Sequence, residues 1–193
     1  TMIRNMSFDG ISGRGSTIYA ENCVSTNCGR FTFLGDRGGD YTLIHNTFYT
    51  GGRDFGRNNP TFAYLSTLRD PFTNAILETY DLKFTFLNNI IDGINREGEI
   101  LGDLEGTIDS QSVIAYNLLK SEEDIYFATG STNIRKTDEN LFIDAYNFNL
   151  DLDSTNAPIA KDKAILVSPA ITEDHCDRQR DATPDIGAFE SQH

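Results

Sequence analysis

The sequence predicts an all-β chain that folds as the C-terminal part of a right-handed parallel β-helix. Three observations support this prediction: an asparagine that recurs before short apolar runs, a repeat length of one coil, and a composition that suits a narrow core. Hydrophobic residues make up 38% of the 193 residues, with 13 Phe, 8 Tyr and no Trp. This composition is too apolar for a disordered chain and suits an elongated protein.

The repeat consists of Asn, then two or three mostly apolar residues, then often Gly or a polar turn. Most of its steps are about 20–28 residues long, which matches one coil of a β-helix. Runs that alternate as strands do, such as residues 83–87 and 112–115, precede the asparagine. The six asparagines of the repeat are Asn5, Asn22, Asn46, Asn89, Asn117 and Asn140.

Asparagine has a physical reason to recur where one strand ends and the next begins. One residue at such a bend must adopt a left-handed conformation, which Asn and Gly adopt most easily. Stacked coils lie about 4.8 Å apart, so equivalent amides can bond along the stack as a ladder. We therefore expect most of the six asparagines to stack at one corner of the coil. The alternative fold is a β-sandwich, which also has short strands at regular spacing.

The repeat divides the chain into coils and a closing segment. Residues 1–150 form the predicted coils, and residues 151–193 form the closing segment of the same domain. Loop-like insertions near 51–79 and 122–137 interrupt the coils, because both stretches contain residues that break strands. Long excursions on a rigid scaffold often carry function.

The closing segment carries a more specific set of motifs. A Ser-Pro-Ala-Ile box at 168–171 is followed by a loop from Asp174 to Arg180 and by the string Pro-Asp-Ile-Gly-Ala-Phe-Glu at 184–190. With the asparagine repeat, these motifs resemble the choice-of-anchor Q domain proteins, which are right-handed β-helix repeat proteins of Bacteroidetes type. The resemblance implies the fold and a secreted or cell-surface location, but no reaction. Asp177 departs from the pattern, because Gly is usual at its place in the loop.

The residues of the closing segment suggest a structural cap rather than an active site. We expect Asp174 and Arg180 to pair across the loop and Asp185 to accept backbone N–H groups at a turn. We expect Ile186 and Phe189 to cover the open end of the stack, where unpaired backbone groups must be hidden.

The charge and the apolar runs exclude two classes of partner. The formal net charge is -13, which repels phosphate backbones, so we expect no nucleic-acid binding. No apolar run approaches the roughly 18 residues of a membrane-spanning helix, and no signal peptide is present. Because the first residues already look like a strand, we expect the chain to be a fragment of a longer protein. We also expect a monomer.

The three cysteines do not form a disulfide framework. Cys23 and Cys28 are either buried free thiols or a local disulfide, and Cys176 stands alone. The cysteines therefore do not indicate whether the protein is in an oxidising or a reducing compartment.

The catalytic candidates are weak, and the leading enzymatic option is a polysaccharide lyase. Such an enzyme needs a base, a cation and a groove. The candidates are His45, Arg53 and Arg57 near the first insertion, with Glu97 and Glu99 after it. We expect His45 to project outward beside the Gly-rich loop. The alternative for each residue is an ordinary solvated surface position.

Two pairs of acidic residues are weak candidates for a metal site. Glu97 and Glu99 would share one face of a strand. Asp151 and Asp153 begin a stretch that faintly resembles a calcium loop but lacks its Gly and its final Glu. We expect at most weak calcium binding and no other cofactor.

Three functions stay open. The first is an extracellular β-helix of unassigned activity that contacts polysaccharide or a cell-surface glycan through a lateral face. The second is the C-terminal half of a polysaccharide lyase or glycoside hydrolase, and the third is a structural adhesin stalk. Acidic and aromatic residues clustered on one face would favour carbohydrate, whereas mixed, unclustered charge would favour the stalk.

Overall fold

The computed structural model describes residues 1–51, 59–95, 98–137, 140–153, 155 and 157–191. In this part of the chain the regular structure is all-β, with two short 3₁₀ turns (Asp124–Phe127 and Ala145–Asn147) and no α-helix. The strands are β1 (Met2–Arg4), β2 (Ile11–Glu21), β3 (Val24–Thr26), β4 (Phe33–Ile44), β5 (Thr47–Thr50), β6 (Phe62–Leu65), β7 (Thr67–Arg69), β8 (Ile76–Thr79), β9 (Leu82–Leu87), β10 (Ile90–Gly93), β11 (Ile100–Asp103), β12 (Val113–Ala115), β13 (Leu118–Leu119), β14 (Ile134–Arg135), β15 (Phe142–Asp144) and β16 (Asn149–Leu152).

The first sheet contains one short strand from each pass of the chain, where a pass is the stretch from one strand of this sheet to the next. Its order is β1-β3-β5-β10-β13-β14, and every pairing is parallel. Thr47 stands in register with Val24 on one side and with Ile90 on the other. The inter-strand bonds therefore run along a stack of successive passes, as the parallel prediction requires.

The second sheet is also parallel and is bent. Its order is β11-β6-β4-β9-β12, with β2 paired to β4. The first part of β4 pairs with β6 and its later part pairs with β9. Arg37, Gly38 and Gly39 have φ angles of 57°, 68° and 123°, so the long strand turns between these two parts. The sheet curls around the core as a result.

Two antiparallel hairpins lie outside these sheets. β7 pairs with β8, and β15 pairs with β16. The second hairpin spans the predicted boundary at residue 150. The expected loop at 51–79 contains β6, β7 and β8, although residues 52–58 lie outside the described part. The segment 122–137 contains a 3₁₀ turn and β14.

Aromatic side chains fill the core between the two sheets. Phe33 and Phe62 stack with ring centroids 4.7 Å apart, and Phe84 stacks on Phe86 at 5.2 Å. Phe33 and Phe62 belong to neighbouring strands in register, so their stacking is the packing expected of aligned parallel strands. The narrow core predicted from composition is therefore built mainly from Phe and Tyr, with Tyr41, Tyr64 and Phe48 also fully buried.

An asparagine ladder runs along the stack just before the strands of the first sheet. The Oδ1 atom of Asn89 accepts from Asn46 N and Nδ2 at 3.0 Å, and Asn117 Oδ1 accepts from Asn89 N at 2.8 Å. Asn133 Oδ1 continues the ladder by accepting from Asn117 Nδ2 at 3.0 Å. Cys23 holds the equivalent place one pass earlier, since its N–H donates to Asn46 Oδ1.

Only three of the six predicted asparagines belong to this ladder. Asn5 lies after β1, at another bend, where Asn27 Nδ2 donates to its Oδ1 at 2.5 Å. Asn22 precedes the ladder position by one residue, and Asn140 lies next to the β15–β16 hairpin. Asn22 still shares the bend with the ladder residues, so the prediction that most of the six lie at one corner is confirmed for four of them and is wrong for Asn5 and Asn140.

The left-handed residue of the bend is the neighbour of the ladder residue. Asn22, His45, Asn88 and Tyr116 have φ angles between 48° and 57°, and each precedes a ladder position. The bend thus needs a residue with left-handed backbone and, directly after it, a residue whose amide side chain joins the ladder. The sequence pattern had assigned both to one asparagine.

The closing segment lies against the outer face of the first sheet. Ile186 and Phe189 pack with Val24, Ile90 and Leu118, which come from successive strands of that sheet. Because these three residues alternate with core residues along their strands, they face outward. The expectation that Ile186 and Phe189 cover an end of the stack is therefore wrong, and the cover is lateral.

Two further observations concern predictions about cysteines and membranes. Cys23, Cys28 and Cys176, all within the described residues, form no disulfide bond; Cys28 is buried and Cys176 is exposed. Within the described ranges, no helix has the length and apolar character to cross a membrane.

Candidate functional site

Of the five predicted catalytic candidates, the structure describes His45 and Glu99. Arg53, Arg57 and Glu97 lie outside the described residues. His45 and Glu99 are 1% and 0% exposed, so neither is the solvated surface residue that was considered.

His45 is buried at the bend before β5, beneath the closing segment. Its Nε2 lies 2.9 Å from Asn88 Nδ2, the side chain of the equivalent bend residue one pass later. Burial and, to a smaller extent, the Arg180 cation lower the pKa of the imidazole from 6.5 to about 3, against the opposing effect of backbone groups of Gly187 and Asp185. The outward orientation expected for His45 is wrong, and the ring is neutral at neutral pH.

The buried neutral imidazole predicts a loss of stability in weak acid. The unfolded chain takes up a proton near the ordinary pKa of 6.5 and the folded chain does not, so this stability is lost as pH falls from about 6.5 towards 3. Asn suits the left-handed backbone of residue 45, so His45→Asn keeps the bend. Between pH 7 and pH 5, the unfolding free energy of the wild type should fall by about 2 kcal/mol more than that of the variant.

Denaturant titrations at several pH values, followed by circular dichroism, measure this difference. His175→Asn is the matched control, because it makes the same substitution at a half-buried histidine of the closing segment. Parallel pH profiles for wild type and His45→Asn would contradict the prediction.

Glu99 is held by the backbone and side chain of the preceding pass. Its Oε2 accepts from Thr61 N and Thr61 Oγ1, both at 2.7 Å, and its Oε1 accepts from Asn95 N at 2.6 Å. The carboxylate therefore connects β11 to the start of β6 and closes a turn. This geometry indicates a structural role for Glu99.

The proposed cation positions carry no metal cluster. Among the described residues, no three His, Cys, Asp or Glu side chains are grouped so that they could hold a metal ion. Asp151 is paired instead with Arg178, whose Nη2 lies 2.5 Å from Asp151 Oδ1. Asp151, one of the two predicted calcium ligands in this stretch, therefore forms an ion pair within the protein.

A buried ionic network organises the closing segment. Asp174 accepts from Arg178 Nε at 2.7 Å, and the backbone N–H of Glu190 donates to the same carboxylate. Arg180 donates to Glu190 Oε2 at 3.1 Å, with the two side chains 2% and 8% exposed. The expected pair of Asp174 with Arg180 is therefore wrong: Asp174 pairs with Arg178, and Arg180 pairs with Glu190.

Backbone groups complete the network. Asp185 is 1% exposed and accepts from Asp162 N and Ser191 N at 2.7 Å each, which confirms the role predicted for it. Burial would raise the pKa of Asp174, but N–H donors from Glu190, Arg178 and Cys176 outweigh burial and lower it. Such saturated carboxylates are structural anchors rather than proton donors.

An open groove of about 720 Å³ lies on the outer side of the bent sheet, beside the β7–β8 hairpin. Arg69 forms its centre, with Nε 3.0 Å from Asp103 Oδ2 and Nη2 2.9 Å from Glu105 Oε1. The Thr67 hydroxyl donates to the same Asp103 carboxylate. The groove is also lined by Asp36, Leu65 and Leu101.

The charges of the groove favour recognition over proton transfer. Burial would raise the pKa of Asp103, but hydrogen bonds from Thr67, Arg69 and the Glu105 backbone hold it below its ordinary value. Glu105 is 60% exposed, so its carboxylate is open to a ligand. The groove thus contains the Arg69–Asp103 ion pair, the exposed carboxylate of Glu105 and an apolar surface formed by leucines.

The sequence analysis did not identify the groove residues. Arg69, Asp103 and Asp36 come from three strands, and their proximity depends on the register of β6 with β11 and on the hairpin after β6. A local signal exists only in the alternation Thr67-Leu68-Arg69, which places Thr67 and Arg69 on one face of a strand.

Comparisons with protein-family models, with curated proteins and with solved structures found no match for this chain. The resemblance to choice-of-anchor Q domain proteins therefore stays a prediction, and the function must be argued from the geometry alone.

Proposed function

We propose that this chain is a monomeric right-handed parallel β-helix that binds carbohydrate in the groove around Arg69, at the cell surface or outside the cell. Two features support the β-helix: parallel register from pass to pass in both sheets, and an amide ladder that crosses four passes. The right hand is the one that parallel crossover connections almost always adopt.

The observation that carries the binding proposal is the groove itself. Its guanidinium and carboxylates are fixed in planar, hydrogen-bonded positions, as recognition of sugar hydroxyls requires. Leu65 and Leu101 provide an apolar surface for the C–H face of a sugar ring, and Leu101 is 42% exposed. The aromatic cluster that would strengthen a carbohydrate assignment is not among the groove residues that the structure describes.

The charge of the groove indicates the class of carbohydrate. The Asp103 and Glu105 carboxylates pair with Arg69, Asp36 also lines the groove, and the whole chain has a net charge of -13. Uronate-rich polymers would be repelled by this field. The proposed ligand is therefore a neutral polysaccharide rather than an acidic one.

Binding without cleavage fits the acids that the structure describes. A glycosidase needs a carboxylic acid with a raised pKa next to its substrate. Burial raises the pKa of Asp92 and of Glu190, yet both residues are buried and neither lines the groove. The lowered pKa of Asp103 makes it a poor general acid.

The test is a binding screen against neutral and acidic polysaccharides by affinity electrophoresis, with titration calorimetry for each positive. We expect a neutral polymer to bind and Arg69→Ala to weaken binding at least about 10-fold, because hydrogen bonds to a charged group are lost. Arg30→Ala is the matched control, since it removes an exposed ion pair with Asp9 and does not line the groove.

Circular dichroism checks that both variants remain folded. Binding by Arg69→Ala equal to that of the wild type would refute the groove as the site. Release of sugar fragments or unsaturated products during the screen would instead favour an enzyme.

A further inference from the structure

The outer face of the first sheet buries a lysine beside an aspartate. Lys136 Nζ lies 4.0 Å from Asp92 Oδ2, and the two side chains are 5% and 9% exposed. Asp92 is in β10, whereas Lys136 follows β14, so the lysine side chain reaches across the intervening β13.

The backbone holds both residues in place. Lys136 N donates to Leu119 O at 2.8 Å, which extends the pairing of β14 with β13. Asp92 stands in register with Tyr49, and its carbonyl accepts from Thr61 Oγ1 at 3.3 Å. The two side chains therefore meet between fixed strands rather than between loops.

A second lysine lies nearby but is directed elsewhere. Lys120 follows β13 and is closer to Asp92 along the sheet, with its N–H bonded to Ile91 O. Its Nζ donates to Gly93 O at 2.5 Å. The Lys136 amine also donates to a backbone carbonyl, that of Thr137, but of the two amines it is the one that lies 4.0 Å from the Asp92 carboxyl.

Burial favours the protonated form of Asp92, and an acyl transfer needs a protonated leaving oxygen. Burial raises the pKa of Asp92, and the nearby Glu99 carboxylate raises it further, against the lowering effect of Lys136. Passing a proton from the ammonium to the carboxylate replaces two buried charges by a neutral amine and a neutral acid. A site shielded from water penalises charges more than neutral groups.

We propose that Lys136 and Asp92 condense to an isopeptide bond that links β10 to the end of β14. The neutral Nζ attacks Asp92 Cγ and forms the C–N bond. The C–O bond to the protonated oxygen then breaks, and the departing hydroxyl takes a proton from the nitrogen. The products are one amide and one water, so the step requires no oxidant, reductant or further reactant.

Proximity supplies the driving force that amide formation lacks in water. Well-oriented groups in one molecule react with effective concentrations of about 10⁵–10⁸ M. Lys136 Nζ lies 4.0 Å from Asp92 Oδ2, and rotations within the lysine side chain can bring Nζ to the roughly 3–3.5 Å from Cγ that a near-attack geometry requires. Burial of the amide keeps water from reversing the reaction.

Intact-mass spectrometry of the purified, folded chain tests the proposal. We expect a mass lower than the sequence mass by one water molecule, and the full sequence mass for Lys136→Arg, whose guanidinium does not condense. Lys120→Arg is the matched control and should keep the loss of water. Peptide mapping should identify a branched peptide that joins Lys136 to Asp92.

One other reaction gives the same mass change, and the same variants distinguish it from the isopeptide bond. Asp92 precedes Gly93 and its Oδ1 lies 2.7 Å from Gly93 N, so a cyclic imide could form there with loss of water. An imide would persist in Lys136→Arg and would give no branched peptide. Either that pattern or a full sequence mass for the folded wild type would overturn the proposal.

Discussion

Arg180→Met is expected to lower the free energy of unfolding by about 3–5 kcal/mol, because it leaves a buried carboxylate without its cation. The Arg180 side chain is 2% exposed and bonds to Glu190 Oε2, to Asn22 Oδ1 at 2.8 Å and to Gly187 O at 2.9 Å. Met fills a similar volume, so the loss is electrostatic rather than a cavity. Chemical denaturation followed by circular dichroism measures the change.

A double-mutant cycle separates the pair from its surroundings. Glu190→Gln in the Arg180→Met background removes the stranded charge, so the double variant should be more stable than Arg180→Met alone. Arg30→Met is the control, because the Arg30 side chain is 45% exposed, so its ion pair with Asp9 should contribute no more than about 1 kcal/mol. A change below 1 kcal/mol for Arg180→Met would mean that the network does not hold the closing segment.

Asn89→Ala is expected to destabilise the chain by about 3–5 kcal/mol. The Asn89 amide is central to the ladder: its Oδ1 accepts from Asn46, and its Nδ2 donates to Asn117 Oδ1 at 2.9 Å and to Leu43 O at 2.8 Å. Alanine leaves these buried partners unsatisfied, and each such group costs about 1–3 kcal/mol. Because Asn89 is 1% exposed, water does not replace the lost bonds easily.

Asn149→Ala is the matched control for the ladder variant. Asn149 is exposed at the start of β16, and its side chain accepts a 3.2 Å bond from Asp151 N. The control should change the unfolding free energy by no more than about 0.5 kcal/mol. Similar midpoints of denaturation for the two variants would show that the ladder adds little to stability.

The ladder shows how far a local pattern can specify the fold. Asn46, Asn89 and Asn117 were found because two apolar residues follow each of them on a strand. Asn133 was missed because Arg135 interrupts that pattern, although Asn133 Oδ1 accepts from Asn117. Asn140 met the pattern because the apolar residues after it belong to a hairpin, which requires the same alternation.

The segment 51–79 illustrates a different difficulty. Its glycines and asparagines predicted a loop, yet Phe62 and Tyr64 of β6 are fully buried in the aromatic core. The strand is four residues long and follows the breakers closely. A short buried strand of this kind has no periodicity that distinguishes it from a loop.

The site was less predictable because its contacts are long-range. His45 was expected to face solvent, and nothing near it in the sequence indicates the cover provided by Asp185 and Gly187. Arg69 and Asp103 likewise become neighbours through strand register across separate passes. Asp185 was predicted correctly because an aspartate before a turn has a local role as an acceptor.

The contacts of Asn22 imply an order of events during translation. The Asn22 side chain donates to Glu173 O and accepts from Arg180, so the bend before β3 is completed by residues 151 and 158 positions later. At about 5–20 residues per second, a ribosome needs on the order of 10–30 s to synthesise that stretch. The nascent chain exposes Val24 for this interval, and Ile90 for the later part of it, so chaperones can bind the early strands.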